Sequence, residues 1–196
     1  MIKSNIPPML KALVLAGGRS TRMGQDKGLI QWHGKPQREY LADLLEEMKL
    51  DTYISCRPDQ AQELSGYKLI IDQISDQGPL GAIYSAFHDH PNAAWLVIAC
   101  DMPLLDRQTI EYLIKNRESA MPATAYRAPA FDDDSPDPLL AIWEPRMRNI
   151  VVQRIHEKKR CARKTLAISG VHLLKPPKPE ILSNVNTPEE LAAVSK

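Results

Sequence analysis

The sequence has few cysteines and almost no net charge, and both absences exclude whole classes of protein. Its three cysteines, Cys56, Cys100 and Cys161, are widely spaced and form no C-x-x-C pair. Neither a disulfide framework nor a zinc site is therefore expected, and the reducing cytoplasm is the expected location. The 25 basic and 24 acidic residues leave a formal net charge of +1. Without an excess of positive charge, no nucleic-acid partner is expected, and an anionic ligand must be bound by local groups.

Long hydrophobic runs are missing as well. No apolar run approaches the roughly 20 residues that a membrane-spanning helix needs. Residues 1–11 contain neither the hydrophobic stretch nor the small-residue cleavage site of a signal peptide. We therefore expect no membrane partner, and a chain of 196 residues is long enough to form one domain with a single core.

Two common nucleotide-binding motifs are also absent. The sequence contains no Walker A pattern, G-x-x-x-x-G-K-[ST], and Gly17, Gly18 and Gly24 have the wrong spacing for the dinucleotide fingerprint G-x-G-x-x-G. The chain is therefore expected to be neither a P-loop protein nor a dinucleotide-binding protein of that type.

Apolar runs and helical patterns alternate along the chain. Strands are predicted at 11–15, 52–55, 68–71, 95–99, 120–126, 139–143 and 171–174. Helices are predicted at 38–49 and 80–88, after an N-cap at Asp106, within 145–169, and after an N-cap at Thr187. The alternation predicts a single α/β domain with a doubly wound, mostly parallel sheet. Such a sheet binds ligands in the crevice at the carboxyl ends of its strands.

The most distinctive segment follows the first predicted strand. Gly17 and Gly18 allow a tight turn and a close approach of backbone N–H groups to a ligand, and Arg19, Arg22 and Lys27 add three cations within nine residues. Backbone amides together with several cations are what a triphosphate requires. The plainer alternative is a Gly-Gly turn followed by solvated basic residues.

Residues 15–27, with the sequence L-A-G-G-R-S-T-R-M-G-Q-D-K, resemble the signature of the molybdenum cofactor guanylyltransferases, a branch of the GT-A-like nucleotidyltransferases. The matching positions are Leu15, Ala16, Gly17, Gly18, Ser20, Arg22, Met23, Gly24, Asp26 and Lys27. The resemblance implies a three-layer αβα, Rossmann-like fold of GT-A type. It also implies that this loop binds the phosphates of GTP, with Arg22 and Lys27 neutralising the triphosphate during catalysis.

Later motifs extend the resemblance over nearly the whole chain. Asp72 and the segment Gly78, Pro79, Leu80 resemble the part of the family site that contacts the guanosine end of the nucleotide. Asp101 stands in a C-D-x-P motif whose aspartate binds magnesium and takes part in catalysis. Asp137 and Pro138, together with Asn184 and Asn186 of an N-x-N-T-P motif, resemble positions on the pterin side. The implied division is a nucleotide- and metal-binding half, 9–105, and an acceptor-binding half, 106–196.

The sequence supports Asp101 independently of the resemblance. Asp101 comes soon after the most continuously apolar predicted strand, at 95–99. A carboxylate in that position would lie at the mouth of the crevice. Magnesium is usually held by one or two carboxylates together with substrate phosphates and water, so one such aspartate suffices. A turn or helix-capping aspartate is the alternative, just as Asp76 is an alternative to Asp72.

The implied reaction is an attack of the molybdopterin phosphate on the α-phosphorus of GTP, with release of pyrophosphate. Little covalent chemistry falls to the protein, and no side-chain base is needed for a nucleophile that is already ionised. Gly17 fits the guanylyl-transferring type, since relatives that use CTP carry L-A-A-G. Transfer from CTP, transfer to another phosphate acceptor, and a non-catalytic nucleotide-binding regulator remain as alternatives.

Two features have no assigned role. Arg57 stands where some relatives carry an asparagine that contacts the nucleotide, so it could bind base or phosphate, or be solvated. The basic residues between 158 and 164 could bind a phosphate or an acidic partner, such as a molybdoenzyme or another cofactor-biosynthesis protein, or form a solvated surface.

Overall fold

The computed structural model describes residues 6–18, 27–128 and 135–182 of the chain. This part contains seven strands: β1 Leu10–Leu15, β2 Asp51–Cys56, β3 Leu69–Ile71, β4 Ala94–Ala99, β5 Ala123–Arg127, β6 Pro136–Trp143 and β7 His172–Leu174. Its α-helices are α1 Gln37–Glu47, α2 Pro79–Asp89, α3 Arg107–Lys115, α4 Met147–His156 and α5 Ala162–Ala167. Short 3-10 helices cover Lys27–Leu29, Pro58–Leu64 and Pro179–Leu182.

The strands form one mixed sheet in the order β3-β2-β1-β4-β6-β5-β7. Strands β1 to β4 are mutually parallel, β6 is antiparallel to both β4 and β5, and β7 is parallel to β5. The prediction of a doubly wound, mostly parallel sheet is therefore confirmed. After β1 the chain first builds outward through β2 and β3 and then returns to place β4 on the other side of β1. The switch between β1 and β4 creates the crevice in which such sheets bind ligands.

Helices cover both faces of this sheet, which gives the expected three layers. Successive residues of a strand point to opposite faces: Ala12 and Val14 of β1 pack with residues of α1 and α3, whereas Leu13 packs with residues of α2, α4 and α5. All six residues of β4 are buried, as expected for a central strand that is covered on both faces.

Local sequence explains where several elements begin. Asp106 caps α3 as predicted, because its Oδ1 accepts a hydrogen bond of 2.8 Å from the Thr109 amide. Helix α2 begins at Pro79, whose fixed φ suits the first helical position. The preceding Gly78 has φ 55° and ψ −151°, a conformation that side-chain-bearing residues rarely adopt.

The second half of the chain differs from the sequence-based prediction at several boundaries. Strand β5 begins three residues later than the predicted start at 120, and β6 begins at Pro136 rather than at 139. The helical stretch 145–169 is divided into α4 and α5. The 3-10 helix Pro58–Leu64 was not predicted, and the predicted helix after Thr187 lies outside the described residues. In the described part of the chain, no helix is long and apolar enough to cross a membrane.

Candidate active site

The glycine segment, defined here as residues 16–18, leaves β1 at the carboxyl edge of the sheet, between β2 and β4. The Ala16 amide donates a hydrogen bond of 2.9 Å to the Ser55 carbonyl, which extends the β1–β2 ladder beyond Leu15. On the other side, Cys100 Sγ donates to the Leu15 carbonyl at 3.0 Å. Leu15 and Ala16 are thus held by both neighbouring strands, and the two glycines follow at the switch point.

The loop that follows β2 binds the carbonyl groups of this segment. Arg57 Nη1 donates to the carbonyls of Gly17 at 3.0 Å and Gly18 at 3.2 Å. Gln60 Nε2 donates to the Ala16 carbonyl at 3.2 Å, and Gln60 Oε1 accepts from the Arg57 amide at 3.0 Å. All three carbonyls of the glycine segment therefore face the β2 loop.

This arrangement determines where the amide groups of the glycines point. In a planar trans peptide unit, the N–H group points away from the C=O group. The carbonyl of Ala16 shares a peptide unit with the amide of Gly17, and the carbonyl of Gly17 shares one with the amide of Gly18. Both N–H groups are therefore directed away from Arg57 and Gln60. Two successive amides with a common direction are the kind of donor group that binds an anion.

Asp72 approaches the same segment from the end of β3. Its amide donates 2.9 Å to the Cys56 carbonyl, and its Oδ1 accepts a hydrogen bond of 2.6 Å from the Ser55 hydroxyl. A Cβ on Gly17 would collide with Oδ2 of Asp72, so glycine is what allows the two to approach so closely. Burial raises the pKa of Asp72, against the lowering effects of the Ser55 hydrogen bond and the Arg57 charge.

Gly78, Pro79 and Leu80 form the start of α2, after β3. A Cβ on Gly78 would meet no heavy atom within 4 Å, so its positive φ, rather than crowding, favours glycine there. The Leu80 side chain is fully buried in the core between α2 and the sheet. Its backbone is therefore the part that can approach a nucleotide.

Asp101 and Asp137 lie near each other, where β4 ends and β6 begins. In the antiparallel pairing of these strands, partner numbers have a constant sum: 98 + 140 = 238 for Ile98 and Leu140. Asp101 and Asp137 give the same sum, 101 + 137 = 238, but the pairing stops at Ile98 and β4 ends at Ala99, so the register brings the two residues only to the same end of the β4–β6 pair. Asp101 is half-buried and Asp137 is only 7% exposed. The residue that sequence reasoning assigned to the acceptor thus lies beside the residue assigned to magnesium.

The electrostatics of Asp137 agree with this proximity. Burial raises the pKa of its carboxyl, and the negative charge of Asp101 raises that pKa further. Hydrogen bonds to Oδ1 from the amides of Leu139, at 2.8 Å, and Leu140, at 3.3 Å, oppose the rise and fix the orientation of the carboxylate. Two close carboxylates are mutually destabilising unless a cation lies between them.

The donor chemistry of this pair fits a magnesium ion. Carboxylate oxygens are the protein ligands that magnesium prefers, and one or two of them are usually combined with substrate phosphates and water. Among the described residues, no group of three or more His, Cys, Asp or Glu side chains is placed to hold a metal.

The remaining predicted residues cannot be located in the same way. Arg22 lies outside the described residues, as do Asn184 and Asn186. Lys27 begins the 3-10 helix Lys27–Leu29, but only its backbone is described. Pro138 lies within β6, directly after Asp137.

Sequence reasoning missed the roles of Ser55 and Gln60 and left Arg57 unassigned. All three follow or end β2, the neighbour of β1, so the carboxyl-edge rule that favoured Asp101 applies to them too. That signal becomes useful only when the strand order is known. A basic or amide side chain after a strand otherwise indicates no particular partner.

The sequence matches a known family of proteins. The MobA-like NTP transferase domain matches residues 12–173. A molybdenum cofactor guanylyltransferase of Pseudomonas putida is 31% identical over 94% of this chain and 96% of its own length. A molybdenum cofactor biosynthesis bifunctional protein of Synechocystis is 31% identical over 95% of this chain, which spans only 54% of that protein.

A solved structure has the same fold. The crystal structure of molybdopterin-guanine dinucleotide biosynthesis protein A from Archaeoglobus fulgidus superposes with a TM-score of 0.77 at 26% identity. The match covers 94% of this chain and 96% of that one.

Proposed function

The chain belongs to the molybdenum cofactor guanylyltransferase family of nucleotidyltransferases, and we propose that it transfers GMP from GTP to the phosphate of molybdopterin. One structural relationship carries the proposal: the glycine amides after β1, directed away from the β2 loop, lie at the same edge of the sheet as two neighbouring carboxylates, Asp101 after β4 and Asp137 at the start of β6. A triphosphate requires the first group, and a metal ion that neutralises its reacting phosphates requires the second.

The residues of the nucleotide half have separate tasks in this proposal. The amides of Gly17 and Gly18 donate to phosphate oxygens, and the cations Arg22 and Lys27 add positive charge. Asp72 and the start of α2, with Gly78 and Pro79, contact the guanosine end. Because hydrogen bonds of the Ala16 and Asp72 amides to β2 hold the glycine segment and Asp72, these two parts need little reorganisation when the nucleotide binds.

Nucleotidyltransferases of this family generally depend on a divalent metal ion, and we propose that Asp101 and Asp137 hold magnesium here. Magnesium would supply positive charge to the reacting phosphates and to the leaving pyrophosphate. The two aspartates fix that charge at the switch point of the sheet. Asp137 and Pro138 also bring the acceptor half of the chain to this position, and Asn184 and Asn186 are proposed to contact molybdopterin.

The reaction is a single in-line displacement. An oxygen of the molybdopterin phosphate forms a bond to the α-phosphorus of GTP, and the bond from that phosphorus to the oxygen bridging the α- and β-phosphates breaks. The electron pair leaves with pyrophosphate, and no proton has to be removed from an ionised phosphate nucleophile. Positioning and charge neutralisation are therefore the tasks of the protein.

The test is a pyrophosphate-release assay on the full chain with molybdopterin, magnesium and each of GTP, CTP, ATP and UTP. We expect release with GTP, formation of a guanylylated pterin, and loss of both on addition of EDTA. Faster release with CTP would contradict guanylyl transfer and favour cytidylyl transfer. Nucleotide binding by calorimetry without release in any combination would contradict catalysis and favour a regulator.

A further inference from the structure

Arg57 lies against the backbone of the glycine segment. Most N–H donors of its guanidinium form hydrogen bonds with that backbone and with Asp59. Nη1 donates to the carbonyls of Gly17 and Gly18, at 3.0 and 3.2 Å. Nε and Nη2 donate to the two carboxylate oxygens of Asp59, both at 3.1 Å. These contacts use four of the five N–H donors of a guanidinium. The side chain is thus fixed between a carboxylate and two peptide units.

We propose that Arg57 is a positioning residue, which holds the peptide units of the glycine segment so that their N–H groups face the triphosphate. The inference rests on the proposed function, because it needs a triphosphate at these amides. It assigns Arg57 to neither of the direct roles that its sequence position suggested, contact with the base or with a phosphate.

The glycine segment needs an external constraint. Glycine has more backbone freedom than any other residue, so two successive glycines alone do not fix the direction of their amides. The bonds to Arg57 and Gln60 fix one end of each peptide unit and, because the unit is planar, also fix the other. The constraint exists before any ligand binds.

The directions of the Arg57 contacts argue against a direct phosphate contact. Its donors point to carbonyl oxygens that lie on the side of the segment opposite the Gly17 and Gly18 amides. Asp59 also neutralises much of its charge at close range. A phosphate bound by those amides would therefore be separated from the guanidinium by the peptide units themselves.

The geometry also predicts that lysine cannot replace this arginine. The guanidinium is a rigid planar fork that serves two carbonyls and a carboxylate at once, whereas an ammonium group is a point charge on a flexible chain. Arg57→Lys keeps the charge and loses the fork. A direct charge contact and a positioning role therefore predict different outcomes for this variant.

The experiment measures, by calorimetry in magnesium buffer, the affinity of the full chain and its variants for GTP and for inorganic tripolyphosphate. For Arg57→Lys and Arg57→Ala alike, we expect binding of both ligands to be about 10-fold to 100-fold weaker, as for the loss of a charged hydrogen bond. The salt dependence of binding should stay as in the wild type, because Arg57 contributes no charge to the phosphates. Arg107→Ala, which removes an exposed arginine paired with Glu47 at 2.8 Å, is the matched control and should bind as the wild type does.

Three outcomes overturn the inference, and a fourth separates it from the proposed function. Wild-type affinity in Arg57→Lys with a weaker, less salt-dependent affinity in Arg57→Ala would make Arg57 a direct charge contact. Wild-type affinity in both variants would leave it no role in binding. If the wild type binds tripolyphosphate but not GTP, guanylyl transfer fails while the Arg57 variants still test positioning. If it binds neither ligand, both proposals fail. Urea unfolding of each variant checks that the chain remains folded.

Discussion

The carboxylate of Asp72 occupies the space that a Cβ on Gly17 would need. Oδ1 of the same carboxylate is held by the Ser55 hydroxyl at 2.6 Å, so a shift of the carboxylate away from position 17 would disturb that bond. In the sequence analysis, Gly17 was a sign of guanylyl transfer, because relatives that use CTP carry L-A-A-G. The structure adds a reason for glycine that does not depend on the base.

We therefore predict that Gly17→Ala destabilises the fold through its collision with Asp72. Forcing a methyl group into a filled site typically costs about 1–3 kcal/mol. Urea unfolding of Gly17→Ala, Asp72→Ala and the double variant measures whether the two positions are coupled. In the Asp72→Ala background the alanine at 17 should cost clearly less, with a coupling energy of about 0.5–3 kcal/mol. Strict additivity of the two changes would contradict the collision.

Most of the fold could be predicted from the sequence because its signals are local. The six apolar residues of β4 and the N-cap at Asp106 indicate their elements without reference to the rest of the chain. The start of β6 could not be predicted, since Pro136 and Pro138 lack a donor and normally indicate a loop. At these prolines β6 has no pairing with β4, which ends at Leu140, and its pairing with β5 is irregular between Ala125 and Arg127.

The candidate site was predictable only in part, for a related reason. The glycine segment and Asp101 are recognisable from their residue types and their positions directly after predicted strands. Two other features depend on which strands are neighbours in the sheet. Arg57 contacts two backbone carbonyls, and Asp137 lies near Asp101. That order is a tertiary property, which no local pattern in the sequence contains.

The pair Asp101 and Asp137 makes a prediction about metal binding. Asp101→Asn and Asp137→Asn should each weaken the affinity for Mn²⁺ in the presence of GTP, as measured by electron paramagnetic resonance. Loss of a residue that only supports a ligand typically costs 10-fold to 100-fold in metal affinity, so loss of a ligand should cost at least about tenfold. Asp106→Asn is the matched control, because asparagine caps α3 as well as aspartate does. Wild-type affinity in Asp137→Asn would exclude that residue from the metal site.

The same pair predicts a stability effect without metal. Since burial and Asp101 raise the pKa of Asp137 in the folded chain, its ionised form is disfavoured there. The resulting decrease in the free energy of unfolding is complete above the pKa that Asp137 has in the folded chain. It disappears as the pH falls below the pKa of the unfolded chain. Asp137→Asn keeps an Oδ1 acceptor for Leu139 and Leu140 and should therefore stabilise the metal-free chain at pH 7, but not in acid. A loss of stability at pH 7 would contradict this interpretation.

A further prediction concerns Asp51, which begins β2 at the edge of the sheet opposite the candidate site. Burial acts to raise the pKa of its carboxyl, but hydrogen bonds from Lys11 and Lys68 outweigh burial and lower that pKa from 3.8 to about 2. Because the folded pKa lies below the unfolded value, the ion pairs stabilise the fold above about pH 4, and this contribution is lost as the pH falls towards 2. The shift corresponds to about 1–2 kcal/mol after allowance for partial exposure of the group.

Asp51→Asn should therefore lower the free energy of unfolding in urea by that amount at pH 7 and by almost nothing near pH 2. Pyrophosphate release by Asp51→Asn should match the wild type, since the change is remote from the glycine segment. A stability difference that persists undiminished near pH 2 would mean that Asp51 stabilises the strand by packing rather than by its charge.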